Sequence, residues 1–345
     1  MARILLADDG IVFDGQSLDR GPLGGVESSV INLVRELVAR GHEVHVRNKC
    51  AAALDHQGVE WRPIDDGAWP DGVDLYIANR GDKLIDRLPS ARRTVFWTHN
   101  PAQYLMKWRY LSKLWWHKPA IIYIGTYHAT TYPTCAPGGE RIVIPYGLSE
   151  DFCAAEPRTA PPAPKAVFTS NPLRSLDWLL DLWATEIAPK VPGAELHLFT
   201  GAATYGSVGD AKAEAMALVL EQAEALEGSG VKIRGPVSKR QLIEEFQSSR
   251  CMLYRGDLNE TFCLAVGEAQ AMGVPAVVEN RGSVVERVID GETGFIATDA
   301  PAFAEAAVRL LSDDELWERQ HRAALEKQRS WRWPDAAAAF ERLIP

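Results

Sequence analysis

The stretch Asn259 to Phe295 reads NETFCLAVGEAQAMGVPAVVENRGSVVERVIDGETGF. It holds two glutamates, Glu260 and Glu268, eight positions apart, and between and beyond them Leu264, Ala265 and Ala269 fall in helical spacing. The Asn259-Glu260-Thr261 turn chemistry ahead of Phe262 predicts a helix starting near Phe262. The first turn of such a helix carries backbone N–H groups without intrahelical partners, together with the positive end of the helix dipole. Thr261, Phe262, Cys263 and Leu264 would there form a seat for a diphosphate. Glu260 then precedes the helix and Glu268 lies nearly two turns inside it, so one carboxylate can meet a sugar while the other accepts hydrogen bonds from ribose hydroxyls. Two acids at this spacing also arise by chance, one as a cap and one as a solvated helix residue. The rest of the phrase weighs against chance: Gly273-Val274-Pro275, the strand Ala276 to Val278, then Gly282, Glu286, Gly291 and Gly294.

Outward from this stretch, short apolar runs alternate with helical patterns. Strands are expected at Arg3 to Ala7, Glu43 to Val46, Val73 to Ala78, Arg93 to Thr98 and Ala120 to Ile124, with a helix over Val26 to Arg40. Runs such as Ile4-Leu5-Leu6 do not alternate with polar residues, the mark of parallel strands covered by helices on both faces. The second half repeats the grammar. Strands at Ala166 to Thr169, Glu195 to Phe199, Val231 to Ile233 and Cys251 to Tyr254 are interleaved with helices at Leu176 to Ala184, an Ala-rich segment through Leu226, and Lys239 to Gln247. Ala160-Pro161-Pro162-Ala163-Pro164 breaks regular structure between the halves. The expectation is an α/β chain with domains at 1–148 and 149–328, and a final helix within 329–345, where Trp333-Pro334 opens the first turn.

A chain of 345 residues is long enough for two cores. Its net charge of −9 argues against nucleic acid as a partner. Five scattered cysteines fit neither zinc-ligand pairs nor a disulfide framework and point to a reducing compartment. The start MARILLADDG is too short and too acidic for a secretory signal, and no apolar run has the length of a membrane span. A cytoplasmic protein is expected, with peripheral membrane contact as an option.

The phrase from Glu260 to Gly294 resembles the E-x7-E region of retaining GT-B glycosyltransferases, glycosyltransferase family 4. The resemblance implies a GT-B fold: two Rossmann-like domains whose parallel sheets face a central cleft, the first for the acceptor and the second for the nucleotide sugar. A C-terminal helix returns to the first domain. It further implies hexosyl transfer, with retention and without a metal, from a UDP- or GDP-linked sugar to a hydroxyl of a glycan or glycolipid. That is chemistry of cell-surface polysaccharide or lipopolysaccharide synthesis. Asp8-Asp9 and Asp65-Asp66 are not metal motifs.

Other candidate residues follow from strand-end loops, where open α/β sheets bind ligands. Gly24-Gly25 before the Val26 helix is either a tight turn or, by the resemblance, a close backbone approach to donor or acceptor. His99 after the Phe96-Trp97 strand reads as an exposed imidazole; in the family such a histidine contacts the transferred sugar, usually followed by Asp, whereas Asn100 stands here. His99 is therefore expected as a sugar contact more than as a proton carrier, with a merely local loop histidine as the alternative.

Arg174, after Ser170-Asn171, aligns with a family lysine that points at the donor diphosphate, and its guanidinium would neutralise leaving-group charge. The family's earlier cation has no counterpart. Cys263 replaces the family's usual Gly; a small packed residue is favoured over a catalytic thiol, since no histidine lies nearby in sequence. By resemblance, Arg234-Gly235-Pro236-Val237 lies beside the base.

Tyr104, Leu105, Trp108, Leu111 and Trp115 form an apolar helical stripe with Arg109, Lys113 and His117 opposite. The stripe either packs on the sheet or lets residues 104–118 meet a lipid-linked acceptor or a bilayer. A nicotinamide-dependent dehydrogenase is disfavoured, because Gly21, Gly24 and Gly25 do not make G-x-G-x-x-G. A catalytically silent sugar-nucleotide binding protein is the stronger rival.

Overall fold

The computed structural model describes residues 1–21, 23–201 and 212–345. The chain divides into two compact units, one made of Met1–Gly147 with Arg332–Pro345 and the other of Leu148–Trp331.

The first unit is built on an eight-stranded sheet. Its strands are β1 (Arg3–Asp8), β2 (Glu43–Asn48), β3 (Leu54–His56), β4 (Val59–Pro63), β5 (Leu75–Asn79), β6 (Arg93–Trp97), β7 (Ala120–Tyr123) and β8 (Arg141–Val143), in the order β3-β4-β2-β1-β5-β6-β7-β8. Every pairing is parallel except β3 with β4. Ile4, Leu5, Leu6 and Ala7 have no exposed surface, as their unbroken apolar run requires in a sheet covered on both faces.

Helix α1 (Gly25–Ala39) buries Val30, Leu33, Val34 and Leu37, the i, i+3, i+4, i+7 face, with Ile31 beside them. The C-terminal helix Trp333–Glu341 lies against it, and Glu341 accepts from Arg40 and, at 3.0 Å, pairs with His42 just beyond α1.

The second unit has six parallel strands, β9 (Lys165–Phe168), β10 (Glu195–Leu198), β11 (Val231–Ile233), β12 (Cys251–Leu253), β13 (Ala276–Glu279) and β14 (Gly294–Ala297). Their order β11-β10-β9-β12-β13-β14 is the doubly wound arrangement, with the switch point between β9 and β12. In the first unit the corresponding reversal falls between β1 and β5. The expected Ala-rich segment is a helix over Ala213–Ala225, and residues 202–211 lie outside the described residues. The Leu176–Leu182 helix runs on into a π turn over Trp183–Ile187. No helix among the described residues is long and apolar enough to cross a membrane.

One segment departs from its predicted register. Lys107 is extended, at φ −67° and ψ 137°, and separates a 3-10 turn (Ala102–Met106) from the helix Trp108–His117. The periodicity therefore restarts at Trp108. Leu105, Tyr110 and Leu114 are buried, while Trp108 and Trp115, expected on the same stripe as Leu105, are 75% and 68% exposed.

Candidate functional site

In the second unit, two loops leave the carboxyl ends of the switch-point strands β9 and β12. The loop after β12 runs through Tyr254 and Glu260 to a helix over Leu264–Ala271, two residues later than the start expected at Phe262. Cys263 caps that helix with φ 58°, in the left-handed region where a side chain is penalised and glycine is not. This is the physical sense of the Gly that the resembling family carries there. The loop turns tightly against Gly282, at φ 65°, where an added Cβ would stand 2.1 Å from the Asp257 carbonyl oxygen.

Glu260 is the centre of a partly buried cluster. Arg174, on the loop after β9, brings Nη1 to 3.3 Å from Glu260 Oε2, and the Tyr254 hydroxyl donates to the same oxygen. The Cys263 thiol donates to the carboxylate as well. The Arg174 N–H does not aim at the oxygen, so Nη1 keeps a donor without a hydrogen-bond acceptor. Burial raises the Glu260 pKa, against the pull of Arg174. Burial, with the Glu260 charge adding to it, also pushes the Cys263 thiol well up, which keeps it protonated and inert.

Glu268 lies on the buried side of the Leu264–Ala271 helix, its two oxygens 2.5 and 2.7 Å from Lys239 Nζ. Burial raises its pKa and Lys239 opposes the shift. Lys239 is the first residue of the helix Lys239–Gln247, whose start is fixed by a Ser238–Gln241 capping box. The structure thus gathers Arg174, Glu260, Thr261, Phe262, Cys263, Leu264 and Glu268 around one helix start, and adds Tyr254 and Lys239. Lys239 has no local sequence signal, being 29 residues from Glu268 with a pairing that depends on how the strands are ordered, whereas Tyr254 is only six residues from Glu260. Arg234 follows β11, with Nε 3.4 Å from His197 Nδ1.

In the first unit His99 is not exposed as expected; it is buried, with 4% of its surface accessible. The aromatic rings around it account for the difference: Trp97 meets it edge-on at 4.7 Å and Tyr146 stacks at 5.8 Å. Both ring nitrogens are engaged, Nδ1 by the Tyr146 hydroxyl and Nε2 by the Asn79 side-chain oxygen. Asn79 in turn donates to Asp8 at 2.5 Å. Burial, helped by the charge of Arg80, holds the imidazole well below its usual pKa, so it is neutral at physiological pH. His99 is thus linked to Asp8 only through the Asn79 side chain.

Gly24 caps α1, and its neighbourhood is filled by the Glu27 carboxylate, 2.4 Å from where a Gly24 Cβ would lie. Arg80 bridges Asp8 at 2.8 and 2.9 Å and Glu27 at 2.8 Å. Among the described residues no cluster of His, Cys, Asp and Glu is arranged to hold a metal.

Residues 164–313, which take in all six strands of the second unit, match the family described as Glycosyl transferases group 1. Among curated proteins, the chain is similar to a D-inositol 3-phosphate glycosyltransferase of Streptomyces avermitilis, 34% identical over 111 residues, which is 32% of this chain and 24% of that protein. The protein of the same name from Corynebacterium diphtheriae is 32% identical over 113 residues, 32% of this chain and 26% of that protein. The matched stretch thus spans about a quarter of the length of these relatives.

Among solved structures, a sucrose-phosphate synthase from Thermosynechococcus elongatus superposes with a TM-score of 0.76 at 16% identity, over 99% of this chain and 98% of that one. Anabaena HepE in complex with UDP-glucose gives a TM-score of 0.73 at 15% identity, over 99% of both chains. At such identities the likeness shows the fold, and the fold is that of the GT-B glycosyltransferases: two Rossmann-like units on parallel sheets.

Proposed function

We propose that the protein is a retaining glycosyltransferase that moves a hexose from a nucleoside diphosphate sugar to a hydroxyl of a glycan or glycolipid, in the making of cell-surface polysaccharide or lipopolysaccharide. The observation that carries this reading is the pair of carboxylates, the partly buried Glu260 and the buried Glu268, on either side of one helix start and each beside its own cation. The diphosphate rests on the N–H groups of Leu264 and Ala265, with the helix dipole and Arg174 offsetting its charge without a metal. Glu268 takes the ribose hydroxyls and Glu260 the sugar. Gly24, Gly25 and His99 are assigned to substrate contact in the first unit, His99 as a neutral hydrogen-bonding group.

In the transfer the anomeric carbon–phosphate oxygen bond breaks as the acceptor oxygen bonds to the same face, and the acceptor proton passes to the departing phosphate. The test is turnover of labelled nucleotide sugars against an acceptor panel, with Glu260→Ala as control and anomeric NMR of the product. D-inositol 3-phosphate, named for the curated relatives, belongs in that panel. Transfer with retention supports the reading. Binding without turnover across donors and acceptors identifies the alternative, a silent sugar-nucleotide binding protein.

A membrane-facing surface belongs to the same proposal. Trp108, Trp115 and Trp116 are 75%, 68% and 84% exposed on a segment whose charged residues Lys107, Arg109, Lys113 and Lys118 are all basic, in a chain of net charge −9. Trp at an interface and cations toward phosphate suit an anionic bilayer. Sedimentation with anionic vesicles, lost when the three tryptophans become serine, supports the contact; equal sedimentation of both proteins removes it.

A further inference from the structure

The donor reading leaves an electrostatic deficit. A nucleoside diphosphate brings at least two negative charges to the helix start at Leu264, and the cation assigned to it, Arg174, already faces the Glu260 carboxylate at 3.3 Å. That pair is close to neutral as a unit. The other cation of the site, Lys239, is spent on Glu268 at 2.5 and 2.7 Å.

A further guanidinium stands at the same place. Arg287 ends the 3-10 turn Gly282–Arg287 that follows β13, and its guanidinium carbon lies 4.3 Å from the centroid of the Phe262 ring. Its Cδ is 3.7 Å from where a Cβ at Gly267 would stand, so the side chain runs along the first turn of the Leu264–Ala271 helix. It is 20% exposed, and its buried Nε–H has no hydrogen-bond acceptor. The nearest carboxylate, Glu286, is 4.0 Å away. A buried guanidinium N–H left without an acceptor is costly, and an anion repays it.

We propose that Arg287 donates to the β-phosphate of the nucleotide donor and to the diphosphate as it leaves, the Phe262 ring holding its guanidinium plane in place. This rests on the donor-site reading above and adds to it the residue that supplies the uncompensated positive charge. The direction of its acidity agrees: burial lowers the Arg287 pKa, as for a cation awaiting a counter-charge.

The test is calorimetric binding of nucleoside diphosphates and the matching monophosphates to the wild-type chain, Arg287→Met and Arg287→Lys. The expected result is a roughly ten- to hundredfold loss of diphosphate affinity in Arg287→Met, with monophosphate affinity changed by less than about threefold. Arg287→Lys, which keeps the charge but not the fork, should fall between. If Arg287→Met does not fold, Arg287→Lys carries the comparison, with a loss confined to the diphosphate supporting the assignment. Equal weakening of mono- and diphosphate would assign Arg287 to packing on Phe262 and overturn the proposal, as would unchanged diphosphate binding. Failure of the wild-type chain to bind any nucleotide removes the donor reading itself, which the variants alone cannot do.

Discussion

Lys239→Met probes the arrangement that holds Glu268. The Glu268 side chain is 6% exposed and that of Lys239 38%, and the ammonium bridges both carboxylate oxygens. Removing one member of a fully buried pair costs about 3–5 kcal/mol. Water reaches Lys239, so the loss expected here is smaller, about 1–2 kcal/mol at pH 7. For a domain of this size that lowers Tm by roughly 3–6 °C.

The pH dependence gives the reasoning its sharper edge. Burial already holds the Glu268 pKa above the ordinary 4.5, and without Lys239 it rises further. A carboxyl whose folded pKa exceeds its unfolded one binds a proton in the folded state that the unfolded chain has released. Stability therefore falls as pH rises through the window above 4.5, and falls further in the variant. The gap between variant and wild type should be widest near neutrality and close as pH approaches 4.5. Urea unfolding followed at several pH values reads it directly. A Lys239→Met protein as stable as wild type at pH 7, or a gap that does not change with pH, would refute the argument.

Glu260→Gln should lower turnover by roughly a hundredfold or more while donor affinity stays within about tenfold, because the lost charge acts where the sugar reacts; steady-state kinetics with measured donor Kd checks this. Cys263→Gly should leave stability within about 1 kcal/mol, the relief of left-handed strain offsetting the lost thiol contacts, whereas Cys263→Val should cost about 2 kcal/mol or more because a β-branched residue tolerates φ 58° poorly; denaturant midpoints of both decide it. His128 is buried and neutral, burial lowering its pKa from 6.5 to about 4. The unfolded chain thus binds the extra proton between those values, and stability is lost as pH falls below 6.5, by about 2 kcal/mol at pH 5 from this group alone. His128→Gln should flatten that slope in the first unit.

The parts of the structure legible in the sequence are those set by nearby residues. The unbroken apolar strands Ile4 to Ala7 and Ala276 to Val278, and the turn chemistry at Asn259 to Thr261, each announce themselves within a few positions. The hairpin β3–β4 is not legible in the sequence because Asp55, His56, Glu60 and Arg62 give it no apolar run to read. The register of the Trp108–His117 helix differs from the one its sequence suggests because a single extended residue, Lys107, resets the periodicity without any Gly or Pro to mark it.

Partnership was the least legible property. His99 follows a strand, which suggests a loop, yet its own neighbour Trp97 and, from 47 residues away, Tyr146, which the order of β6, β7 and β8 brings near, close over it. Lys239 and Arg287 reach the Glu260–Glu268 helix start through the order of the strands they follow, β11 and β13, rather than through spacing along the chain, whereas Tyr254 lies only six residues from Glu260.

A crystal structure of the chain with a nucleoside diphosphate bears most directly on the central claim. The account predicts pyrophosphate oxygens on the Leu264 and Ala265 amides, within hydrogen-bond reach of Arg174, and the ribose hydroxyls on Glu268. Well-defined nucleotide density elsewhere, with the helix start at Leu264 occupied only by water, would contradict it.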